Sequence, residues 1–509
     1  MHHIFDSSST DQSESFIDCI CTLPNMEHLD LSCNHHPLIS IPESASCLQK
    51  LVLEKCDHIA RLPECVAKMD YQCLFGLVPG FSVTADDNKC YTNLGLLVHV
   101  NPDRLAISKL ENVKSPEEAR SVKLIEKHRI EDLSLSWFDP QAKRCVDDME
   151  LLRELMPPTA LQKFLISGYI SASFPDWLMS IGNYLPNILQ MEMYNMPNCK
   201  SFPPLAQLPP NLRVLTLKRM ESLEEWNTTL SIGEDELMFR KLEKVNIHYC
   251  PRLRIKPHLP RAASWSIHEC DNVLISWAEG VSRNVASSSS VAIEFSKVPL
   301  HRWRLLHHLP AISYLCIACC SDLTGSPEIS WALRSLKSLR LKYLAQSELS
   351  GWVGELSSLL QLVITQCKNL EELPDSMRQL KQLQSLTLDT CCSLRQLPLW
   401  LGELTSLKKL IIWKCSAITT LPNSIQQLTN LQELEIHGCP NLEQWCEAEE
   451  NKTKLAHMAE VLICANEQGC QPPMFPTTVA LAANENKKVM LEKRKRRRES
   501  GFRLLDRVG

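Results

Sequence analysis

The stretch that decides the fold runs from Leu359 to Trp445: LLQLVITQCKNLEELPDSMRQLKQ (359–382), LQSLTLDTCCSLRQLPLWLGELTS (383–406), LKKLIIWKCSAITTLPNSIQQLTN (407–430) and LQELEIHGCPNLEQW (431–445). Leu359, Leu383, Leu407 and Leu431 open four segments at a constant spacing of 24 residues. With each opening residue as offset 0, apolar residues return at offsets 3, 5, 8 and 11. The first three segments also carry Leu-Pro at offsets 14 and 15: Leu373-Pro374, Leu397-Pro398 and Leu421-Pro422. Offsets 3 and 5 are two apart, which points both side chains to one face of a short strand and the residues between them to the other. One such strand cannot bury its apolar face alone, and parallel stacking of many gives a continuous core. Proline at offset 15 has no N–H for a ladder, so it belongs on the turn side, away from the sheet.

This pattern is that of an α/β leucine-rich-repeat solenoid, a horseshoe with a parallel β-sheet on its concave face and an irregular or short helical convex side. The frame extends upstream with irregular spacing, through openings at Met26, Leu48, Pro102, Ile130, Leu161, Ile188, Leu212, Leu242, Ala262, Ile312 and Leu336. Those at Pro102 and Ala262 fit it poorly. About fifteen coils result, and at about 4.8 Å per strand they give a sheet roughly 70 Å along its arc. The expected division is a disordered or truncated terminal segment over 1–22, first repeats over 23–78, an insert with a helix over 79–129, the main array over 130–446, and a non-repeat segment with a basic tail over 447–509.

Composition narrows the function classes. Glycine is scarce at 15 and proline plentiful at 30, a balance suited to regular turns and not to glycine-rich nucleotide loops. No GxxxxGK[ST], HExxH, GxSxG or zinc-spaced CxxC pair occurs, so no catalytic residue, metal or cofactor is assigned and the chain is read as a non-enzyme. The first thirty residues lack a basic start followed by an apolar run, and no stretch of about 18 apolar residues could cross a membrane. The expected location is cytoplasmic, which makes the sequons at Asn227 and Asn451 accidental. Cysteine recurs at offset 8 in Cys56, Cys250, Cys270, Cys320, Cys367, Cys391, Cys415 and Cys439. Buried small hydrophobes explain that spacing better than a metal or redox site. Neighbouring positions would stand near the separation a disulfide tolerates, so a reducing compartment suits the array.

Outside the regular coils, 79–101 reads as an interrupting loop and Pro116–Arg129 as a helix, with Ser115 as N-cap and Glu118 three residues on. A second helix is expected over Asp147–Met156 and a third over Lys454–Cys464. The serine run Ser287–Ser290 reads as a flexible insertion. KRKRRR, formed by Lys493, Arg494, Lys495, Arg496, Arg497 and Arg498, is a candidate nuclear-import signal, against the plainer reading of a solvated charge run. No aromatic residue is interleaved there, which argues against nucleic acid as a partner.

Several passages resemble the C-terminal half of plant intracellular nucleotide-binding leucine-rich-repeat immune receptors of the coiled-coil type. The most specific is RLAISKLENVKSPEEARSVKLIEKHRIEDLSLSW (Arg104–Trp137), with LPNMEHLDLS, SFPDWL, FPPLAQLPPNLRVLTL and FRKLEKVNIHYCPRL in support. The resemblance covers roughly 16–446 and implies pathogen sensing through the repeats. The nucleotide-binding switch that such receptors carry before the repeats has no counterpart here, so ATP or ADP binding is not expected. The leading expectation is a recognition module for a pathogen effector or a guarded host protein, monomeric in isolation. Alternatives are a truncated receptor or decoy without signalling output, and a leucine-rich-repeat substrate adaptor of a ubiquitin ligase.

The residues expected to meet a partner lie between the inward leucines of the last coils. They are Lys337, Arg340, Lys342 and Tyr343 in one coil, Thr365 and Gln366 in the next, then Asp389. Lys408, Lys409, Trp413 and Lys414 follow, then Glu435 and His437. Trp413 is expected as an exposed anchor among lysines that would steer an acidic partner. The alternative is an ordinary solvated face with the indole covered by lysine stems.

Overall fold

The computed structural model describes residues 28–30, 50–52, 74–75, 81–85, 91–228, 242–256, 262–275, 289–308, 312–325, 327–458 and 460–464. The basic tail at 493–498, Cys56 and the segment 1–22 lie outside them. In chain order the strands are β1 (His28–Asp30), β2 (Lys50–Val52), β3 (Leu74–Phe75), β4 (Phe81–Ser82), β5 (Arg104–Ser108), β6 (Asp132–Ser136) and β7 (Lys163–Ser167). There follow β8 (Gln190–Tyr194), β9 (Val214–Lys218), β10 (Glu225–Asn227), β11 (Lys244–His248), β12 (Arg254–Lys256), β13 (Ser264–His268) and β14 (Ser289–Glu294). The last are β15 (Ile312–Ala318), β16 (Ser338–Lys342), β17 (Gln361–Thr365), β18 (Ser385–Asp389), β19 (Lys409–Trp413), β20 (Glu433–His437) and β21 (Glu460–Cys464). Sixteen strands, β4 to β21 without β10 and β12, form one sheet in sequence order. Strands β1–β3 form a three-stranded sheet, and β10 pairs with β12 in parallel.

The register shows why the leucine spacing builds this sheet. Leu362, Leu386, Leu410 and Leu434 stand in one row, and Ile364, Leu388, Ile412 and Ile436 in another, all fully buried. Each such side chain contributes roughly 1.5–3 kcal/mol of burial. The poorly fitting frames also form strands, since Leu105 and Ile107, and Trp265 and Ile267, take the inward positions.

The turn after each strand follows from one backbone feature. In thirteen coils, from Lys109 to Gly438, the residue at offset 7 bends into the left-handed region. From Gly168 to Lys414 its N–H donates to the carbonyl at offset 6 of the next coil, as in Gln366 to Asp389 (2.7 Å) and Lys414 to His437 (2.7 Å). The bend turns offset 8 inward. Cys250, Cys270, Cys320, Cys367, Cys391, Cys415 and Cys439 are buried there and none forms a disulfide. Their thiols donate to carbonyls of their own and the preceding strand, as Cys415 does to Trp413 (3.4 Å) and Leu388 (3.6 Å). On the opposite side Pro374, Pro398 and Pro422 cap short 3₁₀ turns, Asp375–Gln379, Leu399–Glu403 and Asn423–Gln427.

Several segments differ from the sequence reading. The serine run is not simply an insertion, because Ser289 and Ser290 open β14, whose Val291 and Ile293 are buried. Its coil begins on a serine instead of an apolar residue, which hid the frame. The loop at 79–101 contains β4 and a 3₁₀ segment, Asn93–His99. The helix at 116–129 stops at Ser121, and Leu124–Glu126 is a 3₁₀ turn. Ser115 makes no side-chain cap there, and Glu118 instead accepts from the backbone N–H and hydroxyl of Thr92 (3.1 and 2.7 Å). The helix at Asp148–Glu154 forms as expected, with Asp147 capping Met149 N–H at 2.9 Å. The repeat does not end at 446, and the helix expected over Lys454–Cys464 is replaced at Glu460–Cys464 by a strand. Helices Pro440–Glu447 and Glu449–Leu455 lead into β21, which pairs with β20.

Candidate recognition surface

Residues at offsets 2, 4 and 6 alternate with the buried leucines and stand on the concave side. Eight of the thirteen residues singled out from the sequence occupy these positions: Arg340, Lys342, Thr365, Asp389, Lys409, Trp413, Glu435 and His437. The other five stand at the strand ends, Lys337 and Lys408 at offset 1 and Tyr343, Gln366 and Lys414 at offset 7. The structure thus gathers all thirteen on or beside one surface.

The expected exposure of Trp413 is corrected. Its side chain is only 9% exposed and its ring lies 4.7 Å from that of His437, centroid to centroid. Trp413 and His437 face each other in the ladder, being 24 residues apart, and each covers the other. Arg340 and Ile411 are also buried on this face. The basic character is weaker than the lysine count suggests, because Lys409 lies 2.6 Å from Glu433 and also bonds Glu435. Burial raises the pKa of Glu435, with Glu433 beside it adding to the shift. Asp389 is pushed up by burial and accepts from the Thr390 hydroxyl at 2.8 Å. Lys337, Tyr343, Lys408 and Lys414 remain exposed at the strand ends.

The middle coils carry a polar row that sequence reading passed over. His248, His268 and Glu294 are ladder neighbours on β11, β13 and β14. His268 Nδ1 lies 3.1 Å from Glu294 Oε2, and His248 Nε2 lies 2.9 Å from the Ser266 hydroxyl. Burial, with the charges of His268 and Lys218 nearby, holds the His248 pKa down at about 4. These residues share offset 6 with Trp413. Unequal coil lengths in this region hide that equivalence in the sequence.

Comparison with known proteins agrees with the geometry. A family model described as R13L1/DRL21 LRRs matches residues 92–220, and one described as leucine-rich repeat region matches 306–462. Disease resistance protein RGA2 of Solanum bulbocastanum is 28% identical over 278 residues, 54% of this chain and 24% of its own length. RPP13-like protein 1 of Arabidopsis thaliana, a disease-resistance relative, is 23% identical over 337 residues, 62% of this chain and 30% of its own. The fold is a leucine-rich-repeat solenoid, and its repeats are similar to those of plant disease-resistance proteins. The chain spans about a quarter of the length of these relatives. An internalin from Listeria monocytogenes aligns over 73% of this chain and 89% of its own at 15% identity and a TM-score of 0.35, a likeness too slight to add to the sheet itself.

Within the leucine-rich-repeat region matched at 92–220, the LENV turn ties neighbouring coils together. The Glu111 carboxylate accepts from the N–H groups of Phe138 and Asp139, both at 3.0 Å. Asn112 donates to the Val83 carbonyl at 2.8 Å. Lys127 is buried and donates to the carbonyls of Val98 (3.0 Å) and Val100 (2.7 Å), and burial lowers its pKa to about 8. Of the two sequons, Asn451 is buried and donates to the Trp445 carbonyl at 3.0 Å, so it has no room for a glycan. No helix among the described residues is long and apolar enough to cross a membrane, and they contain no cluster of three or more metal-ligating side chains.

Proposed function

We propose that this array is the recognition module of a plant disease-resistance protein, binding a pathogen effector or a host protein that an effector modifies. The carrying observation is the sixteen-stranded sheet with side chains of its concave face free of core duty, in a chain whose repeats match those of disease-resistance relatives. An extended, preformed surface of this kind acts by binding and not by catalysis, and a protein is the partner whose size fits it. The protein works inside the cell, where thiols such as those of Cys391 and Cys415 stay reduced.

The test is affinity purification of the tagged chain from infected plant tissue, followed by calorimetry with each recovered protein made separately. A stoichiometric complex weakened at least about tenfold by Lys342→Glu with Thr365→Arg is expected. A complex insensitive to concave changes but lost on altering exposed convex residues such as Leu399 and Trp331 would contradict the assignment.

A further inference from the structure

The offset-7 bend suits Gly168, Asn195 and Gly438, which have little or no Cβ conflict there. Most other coils hold a larger residue in the same bend, polar ones such as Arg219, Glu269 and Gln366, and in the coils of β11, β14 and β16 an aromatic one, Tyr249 (φ +57°), Phe295 (φ +54°) and Tyr343 (φ +52°). A bulky residue in this conformation is strained by roughly 1–2 kcal/mol. Phe295 is also 43% and Tyr343 50% exposed, so neither ring compensates by filling the core. Three aromatic rings thus recur along one edge of the sheet, two of them largely open to solvent, as expected of a surface kept for a ligand.

The rings are already ordered. Tyr249 and Phe295 flank His268 at centroid distances of 4.5 and 4.7 Å, and the Arg219 guanidinium lies 5.7 Å from the Tyr249 ring. Cations stand at both ends, Lys218 and Arg219 before Tyr249 and Lys342 beside Tyr343. Glu269 and Glu294 lie between, and Glu294 is held by His268. From β9 to β16 the sheet takes five steps, roughly 24 Å, the length of about seven residues of extended chain.

We propose that this rim is a docking strip for an extended protein segment of about seven residues, with apolar or aromatic anchors at its middle and toward one end and carboxylates flanking them. The segment crosses the strand ends from Arg219 to Tyr343. Its anchors pack on Phe295 and Tyr343 while its carboxylates meet the flanking cations. The inference rests on the array being a protein-recognition module and names the chemistry of what that module takes.

The test pans a phage-displayed library of random nonapeptides on the immobilised full chain and measures the selected synthetic peptides by fluorescence anisotropy. Variants are Phe295→Asn with Tyr343→Asn, Arg219→Glu, and Leu399→Ala as an exposed convex control. Asparagine tolerates the bend, so the double variant should melt no lower than the parent. Selected peptides should carry Asp or Glu on both sides of the apolar anchors. The double variant should weaken them at least about tenfold, Arg219→Glu should weaken them about threefold, and the control should change nothing. Peptides that bind the double variant as tightly as the parent would overturn the rim while leaving recognition elsewhere on the array. A library that yields no binder would overturn the strip, and the partner complex described above then decides the broader reading alone.

Discussion

Between Leu359 and Trp445 successive coils share one length and one buried thiol, and the first three the same Leu-Pro turn, whereas between Thr92 and Thr228 no two successive coils match in length. The first region closes each coil with the same apolar rows and the same sulfur-to-carbonyl contacts. The second admits helices and longer turns, and secures them with individual polar ties: Glu111 on two N–H groups, Lys127 on two carbonyls, Trp177 on the Leu152 carbonyl. Repetition spreads stability evenly, while irregularity concentrates it in single groups. That contrast can be broken by mutation, because a solenoid responds coil by coil.

The largest effect is expected from Gly168→Ala in the irregular region. Its φ is +78°, and a Cβ would stand 1.9 Å from the Trp137 carbonyl oxygen, so strain and overpacking together should cost about 3–5 kcal/mol. Hydrogen exchange should show protection lost across β6 to β8. Leu388→Ala in the regular region should cost about 3 kcal/mol, with the loss shared by β17 to β19. If that loss reached the coils before Thr228 equally, the picture of local coupling would fail. Glu111→Ala leaves two N–H groups without their acceptor and should cost about 2 kcal/mol, felt in the insert alone.

Titration should separate the regions further. Lys127 has its folded pKa lowered by burial to about 8 from an ordinary 10.5, so the unfolded chain binds more protons between those values. The insert should therefore gain stability as pH rises from about 8 to 10.5. His248 is lowered to about 4 from 6.5, so the middle coils should lose stability as pH falls through that window. Thermal melts with exchange resolved by coil check both. The smallest effect is expected from Cys391→Ala, about 1 kcal/mol, because a small buried group is lost and its neighbours can settle. A loss as large as that of Leu388→Ala would mean the thiol row carries more than packing.

The solenoid was legible in the sequence because a 24-residue register leaves little freedom, and offsets 3, 5 and 8 state directly which side chains are buried. Coil boundaries were less legible where the opening position is polar, as before β14, or where two helices intervene, as before β21. The concave positions could be assigned, but not their exposure. That depends on the residue one coil away, as Trp413 depends on His437 and Lys409 on Glu433. The aromatic rim was missed in part because offset 7 belongs to neither face in a two-fold alternation, and only the left-handed bend shows where Phe295 points its ring.

The central claim, that the concave side and its rim receive a protein, is tested most directly by lysine footprinting. The full chain is acetylated with and without the recovered partner, and each lysine is quantified by mass spectrometry. Lys218 and Lys342 should be protected by the partner, while Lys381 and Lys452, both paired with carboxylates away from the concave strands, should label equally in both samples. Protection of Lys381 or Lys452 with Lys218 and Lys342 unchanged would contradict the account.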